Sequence, residues 1–285
     1  MVLIGAASYG MLSPFIKLAY SGGLNTGQVT AAQVLGGTAV LWLLVAMRYK
    51  HWSNPFKGPW IKLSLIGIFA LSLTTVLLNE ALAKLDASLA IVLLFQFAWV
   101  TLLMESILLK KKPQKHQLLA VGLVFIGTFL SVGGIPIDAL RTLSFIGVIF
   151  GLLSAVTYSS FIVFTGRLRS NMDATLKSAV MLTASLPFLF FIYPPQQLFS
   201  SGSSALLFWG LLLGMLGSVI PTVSFNIGIP KIGSSWAAIL GSVELPVSLI
   251  GALALLGESI SWLQWGGMMF IVLSIVISQK KVGEK

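Results

Sequence analysis

Residues 210–264 read GLLLGMLGSVIPTVSFNIGIPKIGSSWAAILGSVELPVSLIGALALLGESISWLQ, and a shift of 147 residues aligns them without a gap to residues 63–117, LSLIGIFALSLTTVLLNEALAKLDASLAIVLLFQFAWVTLLMESILLKKKPQKHQ. Fourteen of the 55 aligned positions are identical. Leucine-rich segments match one another by chance more often than average sequences do, so the evidence for a repeat lies in the polar and glycine identities. These are Gly67 with Gly214, Thr75 with Thr222, Asn79 with Asn226, Lys84 with Lys231, Ser88 with Ser235 and Gln117 with Gln264. This alignment predicts an internal repeat.

The composition places the repeat in a lipid bilayer. Of 285 residues, 56% are hydrophobic and only 9% are charged, and the mean hydropathy is +0.96. Soluble domains have about 25% charged residues to cover their surface, so a soluble domain, a disordered chain and a nucleic-acid-binding module are all excluded. The chain has no cysteine, which excludes disulfides, thiolate metal sites and cysteine nucleophiles.

The apolar sequence divides into ten stretches of the length that crosses a hydrocarbon core, which takes about 20 helical residues. We expect an all-α polytopic membrane protein with these ten transmembrane helices and no separate soluble domain. Met1 leads directly into apolar sequence without the basic region and cleavage site of a signal peptide, so the first span is expected to be retained. The predicted spans are 2–20, 26–47, 60–82, 87–109, 114–133, 143–165, 173–193, 205–229, 233–256 and 261–278.

The repeat divides these spans into two groups of five, predicted as residues 1–138 and 139–285. A second shift, of 149 residues, pairs Tyr9 with Tyr158 and extends the repeat to the first span of each group. Because five is an odd number, the second group enters the membrane from the opposite side to the first. Inverted repeats are typical of secondary transporters, which expose a site near the midplane alternately to each side. The alternative is a duplicated scaffold with no transport role.

The basic residues predict the orientation. Fifteen of the 18 Lys and Arg residues fall at alternate connections or at the C-terminus, and Lys17, Lys84 and Arg141 fall on the other side. Basic residues collect on the cytoplasmic side, so we expect a multi-pass protein of the cytoplasmic membrane with both termini in the cytoplasm. The net charge of +10 therefore describes topology and indicates no nucleic-acid partner. The fifteen are Arg48, Lys50, Lys57, Lys62, Lys110, Lys111, Lys112, Lys115, Arg167, Arg169, Lys177, Lys231, Lys280, Lys281 and Lys285.

The sequence resembles the ten-helix EamA branch of the drug/metabolite transporter superfamily along essentially its whole length. Tyr9-Gly10 with Phe15 and Lys17 is similar to the family's Trp-Gly…Lys opening, and the segment from Glu244-Leu245-Pro246 through Leu256-Gly257-Glu258 to Gln264 is similar to its Glu-Pro…Leu-Gly-Glu…Gln ending. The resemblance implies a transporter, with export as the expected direction, and it makes Lys17 a substrate or gate candidate. Gln33 stands where many members have Arg, and Trp99 stands at the position that aligns with Pro246.

Ionisable side chains near the bilayer centre cost at least ~2.5 kcal/mol on insertion scales, so each needs a reason. Glu244 lies in the middle of the ninth span and is a candidate for substrate binding and for binding and releasing a proton; the alternative is a permanently protonated carboxyl that bonds a neighbouring helix. Lys17 is close enough to a helix end to reach the interface. Glu80 and Lys84 are expected to form an i,i+4 ion pair, and Glu105 is expected to have a structural role near a helix end.

The eighth span has small and polar residues every fourth position, at Gly210, Gly214, Ser218, Thr222 and Asn226, and the sixth has Gly147, Gly151, Ala155 and Ser159. We interpret the glycines as helix-packing contacts and the later polar members as candidates to face a cavity. Neutral amides and aromatic rings within the apolar boundary suit a small amphipathic organic solute. The candidate substrate-binding residues are Tyr9, Lys17, Gln33, Asn79, Gln96, Trp99, Tyr158, Thr222, Asn226 and Glu244.

Together these features predict a secondary transporter that moves a small organic metabolite, amino acid-like or otherwise amphipathic, by alternating access. The alternatives are a channel or facilitator and an intramembrane enzyme; we expect no catalytic residues because no cluster of carboxylates or His dyad is found. No Walker sequence, dinucleotide loop, HExxH or GxSxG occurs, so no cofactor and no metal is expected. The expected partners are the solute, membrane lipids and protons, in a monomer or homodimer.

Overall fold

A computed structural model of the chain describes residues 1–47, 55–82, 84–85, 87–110, 112–131, 144–168, 170–194 and 203–282. These residues form helices and their connections, and no strand occurs among them. An α-helix bonds its backbone groups within the segment, which is what a bilayer requires of a spanning segment. The helices are α1 Val2–Ser21, α2 Thr26–Met47, α3 Trp60–Ile66, α4 Leu73–Leu82, α5 Ala87–Leu94, α6 Phe97–Leu109, α7 Lys115–Ser131, α8 Phe145–Arg167, α9 Ala174–Ile192, α10 Ser203–Gly214, α11 Ile220–Ile232, α12 Ser234–Gly241, α13 Glu244–Leu256 and α14 Trp262–Val282.

The all-α polytopic fold predicted from the sequence is confirmed. Within the described residues, eight helical segments are long and apolar enough to cross a membrane, and two shorter apolar helices, Lys115–Ser131 and Trp262–Ile277, occupy the places of the predicted fifth and tenth spans. The eight are Val2–Ser21, Thr26–Met47, Trp60–Ala81, Leu89–Leu109, Phe145–Arg167, Ala174–Ile192, Leu206–Ile232 and Ser234–Leu256.

Both groups of five spans contain the same two helix interruptions. In the third span, α3 and α4 are joined by a π-helical turn at Gly67–Ser72, and in the eighth, α10 and α11 are joined by one at Met215–Val219. The fourth span breaks between α5 and α6, and the ninth breaks between α12 and α13, again 147 residues later. Single π turns and helix breaks inside membrane spans are common at functional sites, because they free backbone groups and redirect the helix.

The contact between the fourth and ninth spans is the one expected if these corresponding spans run in opposite directions. The C-terminal half of the fourth span, α6, packs against the N-terminal half of the ninth, α12. We call the membrane face at the start of α1 the Met1 side and the face at its end the Ser21 side. The contact between α6 and α12 lies toward the Met1 side.

The glycines of the eighth span pack tightly, as interpreted from the sequence. A Cβ on Gly36 of α2 would lie 2.2 Å from the Gly210 carbonyl oxygen, and one on Gly214 would lie 2.5 Å from the Gly37 nitrogen. The sixth span follows the same rule, since a Cβ on Gly151 would meet Leu93 at 2.7 Å. Small residues therefore allow backbones to touch where lipid supplies no hydrophobic driving force between helices.

The two sides of the molecule are packed differently. On the Met1 side, α6 packs on α12 and α8 packs on α11 and α12. In the repeat, the pairs on the Ser21 side that correspond to these are α13 with α5, α1 with α4 and α1 with α5. Among the described residues, these three pairs do not form packed interfaces. The helix halves thus pack closely against each other on the Met1 side and less closely on the Ser21 side.

Part of the sequence prediction lies outside the described residues. This applies to the predicted boundary between residues 138 and 139, and to the basic residues Arg48, Lys50, Lys111, Arg141, Arg169 and Lys285, as well as the side chains of Lys280 and Lys281.

We expect Gly36→Ala to destabilise the protein by about 1–3 kcal/mol, because the added methyl group meets backbone atoms that cannot move independently. Thermal unfolding of the purified protein in detergent measures the effect. Gly122→Ala is the matched control: Gly122 lies within α7 with open space around its Cβ position, and alanine there gains up to about 1 kcal/mol of helix propensity. Equal stability of the two variants would contradict the packing described for α2 and α10.

Candidate functional site

Aromatic rings from both repeats meet at the centre of the helix bundle. Tyr9 of α1 and Tyr158 of α8, which correspond in the repeat, are edge to face with ring centroids 6.4 Å apart. Phe97, the first residue of α6, is edge to face with Tyr158 at 4.8 Å. Phe225 of α11 stacks on Tyr9 at 6.3 Å, and Phe161 stacks on Tyr158 at 6.2 Å. We call these five residues the aromatic cluster.

The aromatic cluster is mostly closed to solvent. Tyr158, Phe97, Phe161 and Phe225 are buried and belong to the largest apolar core of the described chain, whereas Tyr9 is half-buried at its edge. Edge-to-face and offset contacts of this kind stabilise ring pairs by about 0.5–1.5 kcal/mol beyond area burial. The cluster is therefore accessible only at its Tyr9 edge.

Glu244 lies beside that cluster, at the break between α12 and α13. It is the first residue of α13 and is half-buried, and its carboxylate is close enough to the phenols of Tyr9 and Tyr158 to interact electrostatically with both. No described side chain or backbone N–H donates a hydrogen bond to this carboxylate. A carboxyl group in the middle of a span that has no hydrogen-bond donor among the described residues is available to a proton or to a solute.

Backbone contacts on either side of the cluster fix its geometry. Gly10 lies against α13 so closely that a Cβ there would be 2.4 Å from the Glu244 carbonyl oxygen. At the corresponding place in the other repeat, the Ser159 hydroxyl donates a hydrogen bond to the Phe97 carbonyl oxygen at 3.1 Å. The residues next to them, Tyr9 and Tyr158, are thereby held against the two helix breaks. Glycine follows Tyr9 in the first span because a side chain at position 10 would clash with α13.

Gln96 and Trp99 lie together at the start of α6. The Trp99 indole donates to the Gln96 side-chain oxygen at 2.8 Å, and the Gln96 amide nitrogen donates to the Val92 carbonyl at 2.8 Å. Trp99 is 42% exposed. Gln33 lies elsewhere, on α2, where its amide nitrogen packs against Gly217 in the second π-helical turn.

The polar residues of the third and eighth spans bond neighbouring helices. The Asn79 amide donates to the Thr30 hydroxyl at 3.2 Å, and the Asn226 amide donates to the Ser178 hydroxyl at 3.0 Å. These two asparagines correspond in the repeat, and each links its helix to the second helix of its own group. Thr222 is buried and donates to the Ser218 carbonyl within its own helix.

The charged candidates lie at helix ends. Lys17 forms an ion pair with Glu258 at 2.7 Å, which joins α1 to the residue beyond α13 on the Ser21 side. Lys84 and Glu80 form the predicted i,i+4 pair at 4.0 Å. Exposed pairs of this kind contribute little stability, about 0–1 kcal/mol. The structure therefore brings Tyr9, Tyr158 and Glu244 together and places Lys17 apart from them.

Glu105 makes a contact between the two repeats that was not predicted from the sequence. Its carboxylate accepts hydrogen bonds from the backbone N–H groups of Ser234 at 3.2 Å and Ser235 at 2.7 Å, and from the Ser235 hydroxyl. These are the first residues of α12, so a carboxylate from one repeat caps a helix N-terminus of the other. This contact, the Glu105 cap, closes α6 on α12 at the Met1 side.

The three phenylalanines of the aromatic cluster were also missed, because apolar residues in an apolar span give no local signal. For Phe97 the repeat provides such a signal, because Phe97 aligns with Glu244 at the shift of 147 residues. Among the described residues, no group of three or more His, Asp and Glu side chains is placed to hold a metal ion.

We expect the Asn226 bond to Ser178 to contribute about 0.5–1.5 kcal/mol, the usual net value of a buried hydrogen bond. A double-mutant cycle of Asn226→Ala and Ser178→Ala, measured by thermal unfolding, isolates this coupling energy. The cycle of Asn226→Ala with Ser160→Ala is the control, because the Ser160 hydroxyl bonds only within its own helix. Additive effects in both cycles would show that the bond does not stabilise the fold.

Comparison with known proteins agrees with this architecture. The EamA-like transporter family model matches residues 1–133 and again residues 145–279. The uncharacterized transporter YcbK of Bacillus subtilis (strain 168) is 25% identical over 301 residues, covering 100% of this chain and 94% of the relative. The uncharacterized transporter sll1319 of Synechocystis sp. is 28% identical over 213 residues, 73% of this chain and 64% of the relative. A solved crystal structure with 16% sequence identity superposes with a TM-score of 0.77 over 99% of this chain and 98% of its own, which shows the shared fold.

Proposed function

The chain belongs to the EamA-like transporter family, and on that premise we propose that it is a secondary carrier of a small amphipathic organic solute, which binds at Glu244 and the aromatic cluster. It is a multi-pass membrane protein whose relatives are named transporters. The observation that carries the proposal is the half-buried Glu244 carboxylate, which has no hydrogen-bond donor among the described residues and lies at a helix break beside the aromatic cluster.

The chemistry of the site selects the solute. The rings of Tyr9 and Tyr158 offer flat apolar surfaces and negative π faces, and Glu244 offers a carboxylate. In the described chain, the lysine and arginine side chains lie toward helix ends, so no cation competes for Glu244 from within the protein. A solute with an apolar body and a protonated amino group, as in an amino acid or an amine, complements this arrangement.

The different packing of the two sides supports a mechanism of alternating access. The site lies where the helix halves are closed toward the Met1 side and apart toward the Ser21 side. The inverted repeats are taken as residues 1–138 and 139–285. If each repeat adopts the arrangement of the other, the Met1 side opens and the Ser21 side closes. The Glu105 cap favours the observed state, because the position that corresponds to Glu105 in the second repeat is Ala252, which has no carboxylate to offer.

We also propose an orientation in the membrane, a direction of transport and a coupling ion. With basic residues on the cytoplasmic side, the Met1 side faces the cytoplasm of the cell and both termini lie there. The observed state then exposes Glu244 to the outside, where a proton gradient delivers protons. One carboxylate holds a proton or an ammonium group but not both, so proton entry drives solute release. The direction is export, which is also what the resemblance to the family implies.

We expect Glu244→Gln to reduce transport at least about tenfold, equivalent to ~1.4 kcal/mol, because the amide neither takes up a proton nor pairs with an ammonium group. Purified protein in proteoliposomes is assayed with three probes that share one aromatic ring: phenethylamine, phenylalanine and phenylacetate. Wild type should prefer the amine to the acid, and the variant should lose both this preference and its dependence on pH between about 5 and 8.

Glu258→Gln serves as the control for that experiment, since it removes a carboxylate from the helix end and leaves the centre unchanged. Normal transport and an unchanged pH profile for Glu244→Gln would refute the assigned role. Saturable flux with trans-stimulation supports a carrier. Flux that rises linearly with concentration would indicate the channel, and chemical conversion of a probe would indicate the enzyme.

We expect Glu105→Gln to shift the protein about tenfold toward the state open on the Met1 side, since hydrogen bonds to a charged group contribute about 1.5–3 kcal/mol. The chain has no cysteine, so a single thiol introduced at the buried Ala237 of α12 reports opening by its rate of maleimide labelling. Glu80→Gln, which removes an exposed carboxylate on the Ser21 side, is the control. Unchanged labelling in Glu105→Gln, with wild-type thermal stability, would show that the Glu105 cap does not hold this side closed.

A further inference from the structure

A groove runs along the outside of the bundle between α3 and α8, toward the Met1 side. Its volume is about 640 Å³, within the range of small-molecule sites. No residue of the aromatic cluster, and neither Glu244 nor α1, α11 or α13, contributes to its walls. The lining residues are Pro59, Lys62, Leu65, Ile66, Phe69, Ala70, Ser160, Phe164, Arg167 and Leu168. We call this the α3–α8 groove.

The groove exists because α3 packs more closely on α9 than on α8. A Cβ on Gly67 would lie 2.2 Å from the Met181 carbonyl oxygen, so the start of the π-helical turn touches the α9 backbone. The Ser185 hydroxyl of α9 donates to the Gly67 carbonyl oxygen at 3.0 Å. Beyond the turn, α4 packs closely on α8. The third span therefore leans away from α8 over the stretch before Gly67, which leaves the groove.

The length and exposure of the groove match one leaflet of a bilayer. From Pro59 to Ala70 the helix rises by roughly 16 Å, at 1.5 Å per residue. Half of a hydrocarbon core about 30 Å thick is ~15 Å. Leu65, Phe69 and Phe164 on its rim are 49%, 58% and 43% exposed, as expected for side chains that face lipid.

The charged residues of the α3–α8 groove lie at one of its ends. Lys62 and Arg167, both exposed, are the charged residues of the lining, and both are cations at the Met1-side end of the groove. The Arg167 Nη2 atom donates to the Leu108 carbonyl oxygen at 2.9 Å, which orients the guanidinium and leaves its other N–H groups available. The rest of the lining is apolar except for Ser160, whose hydroxyl bonds the Val156 carbonyl of its own helix.

We propose that the α3–α8 groove binds an anionic phospholipid of the Met1-side leaflet, with its phosphate between Lys62 and Arg167 and an acyl chain along Leu65, Phe69 and Phe164. Cations at headgroup level above an apolar trough one leaflet deep complement this amphiphile at both ends. A free phosphate ion would contact only the charged end of the groove, and a neutral lipid would contact only the apolar end. This site is separate from the transport site and does not depend on the solute.

The test is lipid retention by the full-length protein, measured by native mass spectrometry with phosphatidylglycerol and phosphatidylcholine as probes. We expect wild type to retain phosphatidylglycerol at least about tenfold better than phosphatidylcholine. Lys62→Gln with Arg167→Gln should abolish this preference. Lys112→Gln with Lys115→Gln, which removes two exposed cations outside the groove, should preserve it. Arg167→Lys keeps the charge and should retain most of the preference.

A second variant tests the apolar part. Ser160→Phe fills the groove without a change in charge, and it should reduce retention of phosphatidylglycerol several-fold while Lys62 and Arg167 remain. Each variant is checked by thermal unfolding and by the same transport assay, so that loss of lipid binding is distinguished from loss of fold or of transport. Retention that is unaffected by Ser160→Phe, or reduced equally by Lys112→Gln with Lys115→Gln, would overturn the proposal. Displacement of the lipid by inorganic phosphate at millimolar concentration would show a phosphate site instead.

Discussion

The close approach of α1 to α13 at Gly10 is the constraint on which the centre of this protein depends. With no side chain at Gly10, the helix backbone rests against the Glu244 carbonyl, and Tyr9 is held at the break between α12 and α13. Polar backbone and a carboxyl group are tolerated at membrane depth only where the protein surrounds them. The ring contacts that join Tyr9 to Tyr158 and Phe225 extend this arrangement into both repeats.

The repeats share their backbone plan but differ in a few side chains, and those differences give the fold its polarity. Glu244 in one repeat is Phe97 in the other, so the central site has a carboxylate on one side and a ring on the other. Glu105 corresponds to Ala252, so a carboxylate caps the facing half-helix on the Met1 side alone. Two identical repeats would give the two states equal free energies. These differences between the repeats make the free energies of the two states unequal.

The α3–α8 groove and the Glu105 cap meet on the same helix. Glu105 and Leu108 are three residues apart on α6, near one face of that helix, and Leu108 accepts the hydrogen bond that orients Arg167. The lean of α3 toward α9 that opens the groove begins at the first π-helical turn, and the same turn recurs in the eighth span. The interruptions therefore shape both the lipid-facing surface and the interior.

The sequence by itself determined the ten apolar stretches, the repeat offset and the ends of most helices to within a few residues, because hydropathy over about 20 residues is a local property. It also singled out Tyr9, Tyr158 and Glu244. Only the tertiary structure decided which polar groups meet: Glu105 with Ser234 and Ser235, Asn226 with Ser178, and Gln96 with Trp99. Apart from the small residues of the sixth and eighth spans, helices that are apolar on every side contain little periodic signal for their rotation about the axis, so these neighbours depend on contacts between distant segments of the chain.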